Sequence, residues 1–292
     1  MFCLYVRCLR GEFAAAAQLA SERLPQARTL MGYLGAAGVA MLALLFLGRL
    51  GDALQIIRDA RSVAQKNGHD PWLFVFREAW LRVHAFDFAG AGRLCETIEA
   101  GHPLLAVQPL TIARFANGSF QLNAGRYDEA LRSFQQISDD QATPKFFLHW
   151  YWRLQSRLAL TELWLARGDS AKAQSEMAEL LTGTLYSAEP TLRARALETA
   201  ARVAIVTGNT KKACHYVAES LLLLDQYQLP LAKWQVHATA RDVYLRTGDS
   251  EAAESHWKQA QEGARFLADS LSVDPTLREA FLAADPIRRL EL

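Results

Sequence analysis

Seven times along the 292 residues the same helix–turn–helix grammar returns. Six of the turns carry a glycine (Gly11, Gly48, Gly125, Gly168, Gly208 and Gly248), and the seventh centres on Phe86. The turns lie 37, 38, 39, 43, 40 and 40 residues apart. A fixed period near forty marks a stacked array of helical pairs rather than one globular core. Five residues after each turn stands an alanine: Ala16, Ala53, Ala91, Ala130, Ala173, Ala213 and Ala253. Two helices joined by a short turn cross closely near their ends, and a methyl group is what fits there.

The rest of the grammar follows from helix geometry. Three residues before each turn comes an apolar residue, Cys8, Leu45, Val83, Leu122, Leu165, Ile205 or Leu245, expected to face the partner helix. Glycine ends the first helix because it enters the left-handed region without steric cost. Glu12, Asp87, Asp169, Asn209 and Asp249 then suit the start of the second helix, while Arg49 and Arg126 depart from that pattern. Nine residues after the turn come Ala20, Ile57, Cys95, Phe134, Met177, Val217 and Trp257, on the same helical face as the alanine. Pro71, Pro103, Pro144, Pro190 and Pro230 fall at or near the starts of first helices, where a missing amide donor costs little.

These signals predict an all-α, right-handed superhelix of about seven helical hairpins. Helices are expected near 2–9, 30–47, 50–67, 72–85, 88–99, 104–123, 127–137, 144–167, 170–182, 190–207, 210–227, 230–247 and 250–271. The chain reads as one domain, with repeats near 1–27, 28–70, 71–102, 103–142, 143–188, 189–228 and 229–272. Asp274-Pro275 and Asp285-Pro286 each look like a cap followed by a first-turn proline, so 273–292 is expected to close the array.

Charge narrows the partners. Thirty-two basic residues stand against 31 acidic ones, without the basic excess expected of a nucleic-acid binder. Cys3, Cys8, Cys95 and Cys214 form no CxxC pair, which fits reduced thiols and a cytoplasmic protein. From Thr29 to Gly48 run 20 residues without a charge, enough to span a bilayer. Four of them are glycines, and the run ends where the register requires a turn, so a buried first helix explains it better. A membrane-anchored scaffold using 29–48 is the rival reading.

The run Asn123-Ala124-Gly125-Arg126-Tyr127-Asp128-Glu129-Ala130-Leu131 resembles the core of a tetratricopeptide repeat, and Leu47-Gly48-Arg49-Leu50-Gly51-Asp52-Ala53-Leu54 is a second match. The familiar repeat has 34 residues, so these copies are longer. Long copies of this kind, with the tail from Asp274 to Leu290, resemble the C-terminal superhelix of bacterial LuxR-type and cyclase-linked signal-transduction ATPases. That resemblance implies an array that senses a ligand or partner and restrains an attached ATPase. The phosphate loop GxxxxGK[ST] is absent from this chain, so nucleotide hydrolysis does not carry over.

No enzyme signature emerges. HExxH, Gly-x-Ser-x-Gly and zinc-type Cys/His spacings are missing, and no cofactor or metal site is expected. Trp164 and Trp257 fall at core registers and read as structural. In tetratricopeptide arrays the first helices line the concave face. Six residues before each turn stand Trp80, Ser119, Glu162, Arg202 and Asp242, and two before stand His84, Asn123 and Arg246. Thirteen and ten before the sixth turn come Arg195 and Glu198. This groove runs from apolar to charged along the chain. Its charged half is expected either to bind a polar or charged protein or peptide segment or to be a solvated ion-pair face of Glu162, Arg195, Glu198, Arg202 and Asp242, and its apolar half to dock on another domain or subunit. On this reading Arg202→Ala and Arg246→Ala weaken capture with little loss of stability. The chain reads as a non-catalytic interaction scaffold or sensor. A regulatory piece of a larger ATPase, or self-association through an uncapped first repeat, are the alternatives.

Overall fold

The computed structural model describes residues 2–70, 72–101, 107–139, 149–185 and 189–292. Among them there is no strand, and sixteen helices follow one another. They pair as α1 (Phe2–Leu9) with α2 (Phe13–Arg23), α3 (Leu30–Phe46) with α4 (Leu50–Lys66), and α5 (Trp72–His84) with α6 (Phe88–Gly101). Next come α7 (Val107–Asn123) with α8 (Tyr127–Asp139), and α9 (His149–Ala166) with α10 (Ser170–Leu185). The last pairs are α11 (Pro190–Val206) with α12 (Thr210–Gln226), and α13 (Pro230–Thr247) with α14 (Ser250–Ser270). Helices α15 (Pro275–Ala283) and α16 (Asp285–Arg288) follow; Asp274 caps α15 as expected, but Asp285 is itself the first residue of α16 and pairs with Arg288 instead of capping. The architecture is an all-α, tetratricopeptide-like solenoid. Pro71, Pro103, Pro144 and the side chain of Cys95 lie outside the described residues, whereas Pro190 and Pro230 open their helices.

All seven turns share one hydrogen-bond pattern. The turn residue donates to the carbonyl three back, and the next residue to the carbonyl five back, as in Gly248 N to Leu245 O and Asp249 N to Tyr244 O. This is the double bond of a helix ending on a left-handed residue. All six glycines have positive φ, and Phe86 adopts φ 60°. Asp87, Asp169, Asn209 and Asp249 cap the following helix with a side-chain oxygen. Glu12 does not, and pairs with Arg7 instead. The seven turn alanines are all buried.

The residue three before the turn departs from expectation. Cys8 and Leu45 are fully buried, Val83 to Ile205 are half-buried, and Leu245 is 49% exposed. In most hairpins the buried residue lies five before the turn, as Ala43, Leu81, Leu163, Val203 and Val243. The difference arises from the path of the superhelix, which completes a turn and stacks on itself. A Cβ at Gly11 would lie 2.8 Å from Pro190 and from Tyr227, and one at Gly48 would lie 2.8 Å from Leu267. Phe86 packs on Trp234 and Phe281, with ring centroids 6.3 and 5.8 Å away. The turns of hairpins one, two and three therefore rest on hairpin six, hairpin seven and the terminal helices. At Gly125, Gly168, Gly208 and Gly248 a Cβ would meet nothing within 4 Å.

The uncharged run is the inner helix α3. Twelve of its residues, Leu34 and the stretch from Ala36 to Phe46, are buried within the stack. No helix among the described residues is long and apolar enough to cross a membrane.

Candidate functional site

Closure turns the concave face into a cavity of about 710 Å³. Its wall comes mainly from the first helices α5, α7, α9, α11 and α13, with Trp257 from α14 and Asp285 and Arg289 from the terminal segment. Nine of the ten sequence-predicted groove residues line it: Trp80, His84, Ser119, Asn123, Glu162, Arg195, Glu198, Arg202 and Asp242. Arg246 is exposed and is not on the wall. The register explains the convergence, because positions two, six, ten and thirteen before a turn form one stripe along a helix.

The apolar half of the groove is packed with aromatic rings. Phe46, Trp80, Tyr151 and Trp152 form an aromatic cluster there, with centroids 5.1 Å apart for Trp80 and Trp152 and 6.4 Å for Phe46 and Tyr151. Tyr151 and Trp152, near the start of α9, supply two of the four rings. Trp80 Nε1 donates to His84 Nε2 at 3.1 Å, which assigns the His84 proton to Nδ1. Burial, with Arg195 adding to it, pushes the His84 pKa down to about 3, so this imidazole is neutral.

The charged half is a network. Glu162 Oε1 accepts from Arg195 Nη2 and from Arg202 Nη1, each at 3.4 Å. Glu198 is buried, lies 3.8 Å from Arg202 Nη1, and accepts from Thr239 Oγ1 at 2.6 Å. Burial raises its pKa, against the pull of Arg202 and Thr239. Burial also works against the Arg202 charge, but Glu198 and Glu162 outweigh it and raise that pKa. Across the whole wall four arginines (Arg195, Arg202, Arg241 and Arg289) face four carboxylates (Glu162, Glu198, Asp242 and Asp285).

Several lining residues escaped the sequence reading. Gln155 and Gln235 occupy the position thirteen before their turns, the register that identified Arg195, so extending it to the neighbouring repeats finds both. Trp257, expected to be structural, is half-buried on the wall with the Arg241 guanidinium 4.2 Å from its ring centroid. Its register names the right helix face, but closure of the turn brings that face to the cavity. Among the described residues, no three His, Cys, Asp or Glu side chains gather as a metal site.

Residues 154–179, most of α9 and much of α10, match the family model described as tetratricopeptide repeat. No curated protein matches the sequence. Among solved structures, a monomeric mutant of IFIT1 with Gppp-AAAA is similar over 99% of this chain, at 13% identity and a TM-score of 0.46. The chain spans 66% of that structure's length.

Proposed function

We propose that this protein is a non-catalytic binding module that holds a compact ligand inside its closed turn. Ligand occupancy sets how firmly the early hairpins rest on the late ones, and protein partners read that state on the outer surface. The carrying observation is the cavity itself, where nine residues from five successive hairpins share one wall. Its volume falls in the range of small-molecule sites, roughly 300–1,000 Å³. With the aromatic cluster across its early half, the interior suits a compact occupant better than a long extended segment. The paired charges lack the arrangement of a nucleophile with its base. A narrower form, which rests on the sequence resemblance alone, makes the array the sensor arm of a larger ATPase regulator, with α15 and α16 ending it.

Hydrogen exchange on the full chain, with and without a protein-free small-molecule extract of the native host, tests the reading. Slower exchange in α9, α11 and α13, and at the contacts between α4 and α14, is the expected result. Unchanged exchange throughout, with no bound mass in a nondenaturing spectrum, overturns it.

A further inference from the structure

The ion pairs that α9, α11 and α13 bring to the cavity wall are loose. Arg195 Nη2 and Arg202 Nη1 each stand 3.4 Å from the same Glu162 oxygen, and Arg202 Nη1 stands 3.8 Å from Glu198 Oε1. Arg241 Nη1 stands 3.5 Å from Asp242 Oδ1. Half-buried pairs away from the cavity close up: Arg61 with Glu78, Arg82 with Asp87 and Arg157 with Glu176 meet at 2.5, 2.6 and 3.0 Å. A guanidinium normally holds a carboxylate at about 2.7–2.9 Å, so both signs of charge on this wall are left under-bonded. They are also accessible, since Arg202, Glu162 and Asp242 keep 38, 26 and 59% of their side-chain surface open. At Arg202 burial opposes the charge in spite of that open surface, so the opening faces the enclosed space and not bulk water.

Charge parity selects the occupant. Three guanidiniums (Arg195, Arg202 and Arg241) share this stretch of wall with three carboxylates (Glu162, Glu198 and Asp242), so a ligand of one sign meets as much repulsion as attraction. A molecule with both signs on one carbon lies antiparallel to the Arg202–Glu162 pair, its carboxylate on the guanidinium and its ammonium on Glu162. The half-buried rings of Phe86, Phe88, Tyr127 and Trp257 line the same cavity and offer it apolar faces. We propose that the cavity binds a free zwitterionic α-amino acid with an aromatic side chain. This class of ligand rests on the cavity being a ligand site.

Calorimetry on the full chain would screen L-phenylalanine, L-tyrosine and L-tryptophan. The tightest would then be compared with its decarboxylated amine, its deaminated acid, L-alanine and inorganic triphosphate. The amino acid should bind about tenfold more tightly than the amine, the acid or L-alanine, because each forgoes one charge-assisted contact or the ring. Glu162→Gln should remove the preference for the amino acid over the deaminated acid, while binding of that acid holds or tightens. Equal weakening of every probe by Glu162→Gln would mark a merely structural carboxylate and overturn the proposal. If that variant fails to fold, Arg202→Lys, which keeps a cation beside Glu198, decides instead. It should lose the preference for the amino acid over the amine, and an undiminished preference overturns the proposal. Equal binding of the amino acid and either single-charge analogue, or preference for triphosphate, overturns the ligand class but leaves the cavity as a site. Failure of every probe also overturns the class, and if the host extract has no effect on exchange either, the cavity reading falls with it.

Discussion

The backbone N–H of Leu50 donates to Ser270 Oγ at 3.3 Å, across 220 residues of sequence. Leu50 opens α4 and Ser270 ends α14, so the positive end of one helix meets the negative end of another. Arg49, at the capping position, offers no side-chain acceptor, and the seventh hairpin supplies one instead. Beside this contact Arg58 Nη2 donates to Asp274 Oδ2 at 2.5 Å, while Asp274 Oδ1 caps α15. The joint holds the superhelical turn shut around the cavity.

Gly51 is the point of closest approach in that joint. A Cβ there would lie 2.1 Å from the Ser270 carbonyl oxygen, which is backbone and has little room to yield. Gly51→Ala should therefore destabilise the protein by about 1–3 kcal/mol, although alanine favours a helix. Gly92→Ala, on an inner turn of α6 with nothing within 4 Å of the new methyl, should be neutral or slightly stabilising. Chemical denaturation of the two variants checks the contrast. Equal effects would mean that the α4–α14 contact does not hold the closed turn in solution.

Phe86 can be treated as a competition between backbone and side chain. At φ 60° a phenylalanine is strained by roughly 1–2 kcal/mol, which glycine would relieve. Its ring, however, lies against Trp234 and Phe281, and losing a packed aromatic costs about 3–5 kcal/mol when fully buried. Phe86 is half-buried, so the packing loss falls to about 2 kcal/mol and Phe86→Gly should lose only about 0–1 kcal/mol net. The loss should appear as faster exchange in α15. A variant that gains stability would show that the ring contributes nothing to closure.

The same residue shows how far the sequence could be read. Period, turn chemistry and buried alanines are local signals, and they gave helix boundaries within a few residues wherever the structure describes them. The cavity stripe was legible for the same reason, since a register repeated in each hairpin needs no knowledge of the path between hairpins. What the period cannot carry is the curvature of the stack. Phe86 in place of glycine, Arg49 in place of a cap, and the burial of Cys8 and Leu45 beside an exposed Leu245 all answer to contacts five hairpins away.

Arg202 should be costlier to remove than its exposed-groove reading suggested. Arg202→Ala leaves Glu198 buried with its nearest cation gone, and should lower stability by about 2–3 kcal/mol. Glu198→Gln keeps an acceptor for Thr239 Oγ1 and removes the charge that burial disfavours. The double variant should recover most of the loss, and a double-mutant cycle by denaturation measures it. Additive losses would mean that the two side chains are not coupled. Binding assays on Arg202→Ala alone would confuse ligand contact with this destabilisation.

Glu189 makes the protein lose stability as the pH rises from weakly acid to neutral. It is fully buried at the start of α11, where its carboxylate accepts from the backbone N–H groups of Thr191 and Leu192 at 2.8 and 2.7 Å. Burial raises its pKa to about 7 despite those bonds. A raised carboxyl pKa means the folded state prefers the protonated form. The favourable contribution is full below about 4.5 and is lost as pH rises through about 7, by on the order of 2–3 kcal/mol. His84 and His237 act in the opposite sense. Burial depresses them to about 3 and about 4, so their contribution is present above 6.5 and is lost as the solution is acidified toward those values. The windows overlap between about 4.5 and 6.5, where the two histidines outweigh the single carboxyl, so stability should peak near the upper end of that overlap. Glu189→Gln should flatten the alkaline side of that peak, raising the melting temperature at pH 8 more than at pH 5. Melting curves across this range decide it, and a pH 5 gain equal to the pH 8 gain would mean that Glu189 is ionised at both.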